Sequence, residues 1–160
     1  MVAGAVGLGW AQAVAAEKPP VAVPLMKDLG KLHHPITTSS KQAQRYFDQG
    51  LRLAYAFNHE EAHKSFQEAA RLDPNCAMCY WGMALVLGPN INMPMDAAAE
   101  APAHEAAQKA SSLAAKATPA EQVYIRSLAA RYAGPGGNRA SLDNAYADAM
   151  REVARQYPDD

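Results

Sequence analysis

Two short motifs in this chain carry residue types that do chemistry. His59-Glu60-Glu61-Ala62-His63 has the H-E-x-x-H spacing. On a helix, histidines four apart face one way and can hold zinc, with the glutamate as base. Here His59 falls in the first turn of its predicted helix, and His104 is the only later histidine. A catalytic zinc wants three protein ligands, and no third is evident, so the expectation is a protein that is not an enzyme. The second motif is Cys76-Ala77-Met78-Cys79, which holds the only two cysteines. Its spacing permits a disulfide across one helical turn, the leading reading in an oxidising compartment. A helix N-terminus would also lower the Cys76 pKa and permit thiol exchange. Tyr80 follows Cys79, so covalent c-type haem attachment is excluded. A third arrangement joins the two motifs. His59, His63, Cys76 and Cys79 together would suit zinc, and thioethers from Met78, Met93 or Met95 would make the set suit copper(I). His33-His34 could reach the same end. The alternative is that the two pairs lie on different faces, with His63 packing between helices.

Helices must position these groups. Helix one is predicted from Ser39, where Ser39 and Gln42 have capping-box spacing, to about Phe57. Asn58 and Glu61 repeat that spacing and open helix two, which runs to about Leu72. Asp73-Pro74-Asn75 is a turn, because proline cannot continue the helix. Helix three runs from near Cys76 to Gly88-Pro89. Residues 88–102 form an insertion containing Met93 and Met95. Helix four covers about 103–117. Thr118-Pro119-Ala120-Glu121 is the strongest cap, with Pro at the first helical position. Helix five runs to about Ala133, with Tyr124, Leu128 and Tyr132 on one face. Gly134-Pro135-Gly136-Gly137 breaks it. Helix six, 141–157, turns Tyr146, Met150 and Val153 inward.

These helices repeat. Tyr46, Gly50, Leu53, Ala62, Phe66, Ala69 and Pro74 fall on the aromatic, small, large, small, aromatic, small and closing positions of a tetratricopeptide repeat. One period of about 34 residues on, Tyr80, Ala84 and Leu87 return in order. Gln49 stands where Leu is usual and Leu53 where Tyr is usual. With HHPITTSS, YFDQGL and AYAFNHEEAHKSFQEAARLDPNCAMCYWGMALVLGPNINMPM, residues 29–94 resemble exported bacterial tetratricopeptide repeat proteins. The resemblance implies an all-α fold, an α-solenoid of about three antiparallel helix pairs, and a role in binding other proteins. It implies a concave groove lined by the first helix of each pair: Gln44, Phe47, Leu51 and Tyr55, then Met78, Trp81 and Leu85, then Val123 and Arg126. With Arg126 the single cation there, a carboxylate clamp is not expected. The groove suits a hydrophobic peptide, a partner helix or downstream repeats of the same protein. Glu60-Glu61-Ala62 is also ordinary for the second helix of such a repeat, which weakens the zinc-protease reading.

Composition sets the outer limits. The chain has 160 residues, 49% apolar and 19% charged, with net charge −1. That describes a globular domain, not a disordered one. No basic run offers a nucleic-acid surface, and no apolar run reaches the length of a membrane span. Residues 1–16 are uncharged and end in Val14-Ala15-Ala16, like a signal peptide without its basic start. Export to the periplasm or beyond is therefore expected. Residues 17–38 hold four prolines and read as an extended leader lying against the first helix pair. Residues 39–160 form the repeat domain, expected to continue beyond Asp160. The function expected is a protein-interaction scaffold without a cofactor. The alternative is a zinc or copper protein using His59, His63, Cys76 and Cys79.

Overall fold

The computed structural model describes residues 23–133 and 136–160. The signal-peptide reading of 1–16 and the first part of the leader lie outside them. The described chain is all-α. Six helices follow in order: α1 (Lys41–Tyr55), α2 (His59–Leu72), α3 (Ala77–Leu87), α4 (Glu100–Leu113), α5 (Pro119–Ala129) and α6 (Arg139–Gln156). Short 3-10 turns, Ala97–Ala99 and Ala114–Lys116, flank α4. Among the described residues no strand forms, only one bridge between Asn90 and Met93.

Each helix packs on its sequence neighbour, as short connections require. The directions can be read from side chains. The C-cap residue of α2, Asp73, takes hydrogen bonds from Thr38 and Ser39 just before α1. His59, the first residue of α2, meets Val86 near the end of α3. So α1, α2 and α3 alternate in direction.

The core is centred on Phe66. Its ring lies 5.4 Å from that of Phe47, tilted by 57°. Gly50 of α1 and Gly82 of α3 press on the Phe66 ring. A Cβ at Gly50 would stand 2.7 Å from Phe66 Cε1, and one at Gly82 would stand 2.5 Å from Cδ1. The two glycines let both backbones close on one aromatic side chain. Leu53, Ala62, Ala84, Ala103, Ala107, Ile125 and Leu128 belong to the same buried cluster.

The helix boundaries correct the sequence reading at two caps and agree with it at a third. Ser40, not Ser39, caps α1 through Ala43 N–H (3.1 Å), because Ser39 is bonded to Asp73. Asn58 makes no side-chain cap for α2. The chain reverses there through a different device. Phe57 N–H donates to Ala54 O (3.0 Å) and Asn58 N–H to Leu53 O (2.9 Å), the bond pair of a Schellman motif. Phe57 takes the left-handed position at φ 58°, where glycine is usual. At α5 the expected box is present: Thr118 accepts from Glu121 N–H, and the Glu121 carboxylate accepts from Thr118 N–H at 2.7 Å.

The leader lies along α1, and polar side chains hold it. Gln49 Oε1 accepts from Met26 N–H (2.8 Å), while its amide donates to Pro24 O (3.0 Å) and to Ser65 (3.1 Å). Tyr46 hydroxyl donates to Val23 O, and Arg52 to Leu32 O. Asp48 accepts from His33 Nδ1 (2.7 Å) and His34 N–H (3.1 Å). Gln49 is buried at this place in α1 and satisfies backbone groups of the leader. Beyond α1, Thr37 donates its N–H and its hydroxyl to Glu121, both at 2.6 Å. The segment 37–39 is therefore a strap joining α1, the end of α2 and the start of α5.

Candidate functional site

Six of the predicted groove residues come together. Phe47, Leu51, Tyr55, Met78, Trp81 and Leu85 line one cavity of about 320 Å³. Phe47 and Met78 reach it from the core and are fully buried, whereas Tyr55 is 70% exposed at the mouth. Its far wall is α6, through Tyr146 and Met150, with Asp160 and His34 at the rim. His34 Nδ1 lies 3.6 Å from Asp160 Oδ1. The third helix pair thus departs from a regular stack, because α6 lies over the concave side.

Three predicted groove residues, Gln44, Val123 and Arg126, do not line the cavity. Gln44 is held by the leader: its amide donates to His34 O (2.8 Å) and Asp48 (3.0 Å), and its oxygen accepts from Ile36 N–H (3.0 Å). Arg126 is exposed and lies elsewhere. On α5 the residue that lines the cavity is Tyr124, one position from the expected Val123. The Tyr124 ring meets Trp81 edge-on at 6.0 Å, and Trp81 Nε1–H donates to Tyr124 O (3.2 Å). Burial pushes the Tyr124 hydroxyl up to about 12, and the neighbouring Asp160 carboxylate adds to the shift. Burial raises Tyr146 in the same way, although the Arg131 guanidinium over its ring opposes it. Both phenols are neutral at pH 7, so Asp160 supplies the negative charge of this lining and no Lys or Arg is part of it.

The two chemistry-bearing motifs separate. Cys76 and Cys79 form a disulfide at the start of α3, with Cα atoms 5.4 Å apart and both residues fully buried. Cys76 is itself the N-cap, its sulfur accepting from Cys79 N–H. Joined to each other, the cysteines present no thiolate to a metal. The proposed set His59, His63, Cys76 and Cys79 is not assembled: among the described residues no three of His, Cys, Asp or Glu gather closely enough to hold an ion. The reason is direction. Because α2 runs against α3, its first turn meets the end of α3 at Val86, while Cys76 stands at the other end, roughly 15 Å of helix away.

The histidines open instead into a second cavity of about 580 Å³, between the start of α2, the end of α3 and the connection to α4. Met93, Met95 and Asp96 line it too. Sequence reasoning named both methionines as thioether donors but had no means of placing their loop. Against known proteins, the chain matches no family model, no curated protein and no solved structure. No described helix is long and apolar enough to cross a membrane.

Proposed function

We propose that this chain is a protein-interaction scaffold of the tetratricopeptide repeat kind, which holds a short apolar peptide segment and does no chemistry on it. One observation carries the reading: residues of α1 and α3, with Tyr124 of α5 and α6 opposite, converge on one apolar, aromatic cavity. Pockets of this size, mostly apolar with a few polar groups, are where small groups and side chains bind. The Asp160 carboxylate at its rim favours a segment flanked by Lys or Arg over an acidic one. The disulfide supports a place of work outside the reducing cytosol, in the periplasm or beyond.

Selection of peptides from a displayed random library on the purified protein tests this. Enriched peptides should be apolar with a flanking cation, and Leu85→Arg, a charge placed in the half-buried cavity wall, should abolish their binding. Phe47 and Trp81 are unsuitable targets because both belong to the core. Enriched peptides that bind Leu85→Arg as well as the parent, or no enrichment at all, would refute the groove.

A further inference from the structure

The second cavity holds a set of donors that neither the scaffold nor the disulfide uses. His59 and His63 stand four apart on α2 and line its wall. His59 Nδ1–H donates to Val86 O at 3.2 Å, which fixes the tautomer and leaves Nε2 with its lone pair. A backbone carbonyl on the far nitrogen is how proteins orient a metal-binding imidazole. The Phe57 ring stacks over His59, 6.2 Å away and tilted by 20°, and holds the other face. His63 Nε2 is buried with no hydrogen-bond partner. A buried nitrogen without a partner is costly unless something binds it.

The third donor comes from the connection after α3. Asn90 and Met93 exchange backbone hydrogen bonds (2.9 and 3.2 Å), and Asn92 N–H donates to the Asn90 side chain (2.9 Å). This tight turn sets Met93 on the cavity wall, 64% exposed. Met95 is committed elsewhere, its sulfur accepting from Arg139 Nη1 at 3.5 Å. With the carboxylates on the same wall committed, Glu60 to Lys64 and Asp96 to Ala98 N–H, two imidazoles and a thioether form a soft set. Such donors select a cuprous ion over zinc, which would want a thiolate, a carboxylate or a further histidine.

We propose that His59, His63 and Met93 form a three-coordinate site for Cu(I), independent of the peptide groove. The probe is Cu(I) held by bicinchoninate in excess ascorbate, which keeps copper reduced without opening the disulfide. The parent protein should withdraw one Cu(I) per chain. Met93→Leu, an exposed change that leaves the fold intact, should weaken binding at least about tenfold. His63→Gln should do the same, and Met95→Leu should not. X-ray absorption on the loaded protein should show both nitrogen and sulfur neighbours. Failure to withdraw Cu(I), an affinity untouched by Met93→Leu, or Zn(II) bound as tightly as Cu(I) would each overturn the assignment.

Discussion

Gly82 decides how closely α3 approaches the first helix pair, because the Phe66 ring lies where its Cβ would be. Alanine in a helix is ordinarily better than glycine by up to about 1 kcal/mol. Here the ring is fully buried, with Phe47 beside it and Gly50 opposite, and cannot move aside. Overpacking of that kind costs about 1–3 kcal/mol, so Gly82→Ala should destabilise the fold despite its better propensity. A fall in the urea midpoint at unchanged m-value would be the signature. The sequence made half of this contact legible. Gly50 and Phe66 fall on the small and aromatic positions that the tetratricopeptide resemblance implies, so spacing alone reaches them. Gly82 does not, because it touches Phe66 across the junction between pairs, where the pattern of one repeat has nothing to say. The groove shows the same limit. Tyr124 shares a face with Leu128 and Tyr132 in the sequence pattern, which does not mark it as a groove residue, yet its ring lines the cavity against Trp81.

At the scale of elements, the turn between α1 and α2 carries strain that the sequence did not disclose. A left-handed residue with a side chain costs about 1–2 kcal/mol relative to an ordinary conformation. Phe57 is 57% exposed, so little packing offsets that cost. Phe57→Gly should therefore raise stability by about 1 kcal/mol, measured by denaturant unfolding. It should also loosen His59, the ring Phe57 stacks upon, and so weaken Cu(I) uptake. Greater stability with lower uptake would tie the strain to positioning. Helix number, order and approximate ends were readable from periodicity and prolines. The leader's attachments were not, because bonds from Gln44, Asp48 and Gln49 to a distant backbone leave no local spacing. A cap is legible within four residues; a strap is legible only once folded.

Over the whole molecule, Asp73 and Glu121 are the anchors of that strap, both almost wholly buried. Burial pushes each carboxyl up, but hydrogen bonds outweigh it: from Thr38, Ser39 and Asn75 at Asp73, and from Thr37 and Thr118 at Glu121. Both end below their ordinary values of 3.8 and 4.5. A depressed folded pKa gives stability that is present above the unfolded value and lost as pH falls through the folded one. The protein should accordingly lose thermal stability below about pH 4.5, and Thr37→Val should lessen that loss while lowering stability at pH 7. Midpoints from pH 7 down to pH 3 would check both signs. Equal slopes in parent and variant would remove Glu121 from the account.

Chains built of stacked helix pairs usually hold together by neighbour contacts alone, so one end can melt while the other stays folded. The Thr37–Glu121 bonds span 84 positions and close the described chain into a ring. Neither the first pair nor α5 can then come apart without breaking a contact the other also needs. The parent should unfold in a single step, with coincident curves from tryptophan fluorescence and from backbone circular dichroism. Cutting the ring by Glu121→Ala, which removes the acceptor of both Thr37 bonds, should let those curves separate, the α5–α6 end melting first. A long closure of this kind is also formed late, since its ends must meet across most of the chain. The price of unity is then speed, and the parent should fold more slowly than the opened variant.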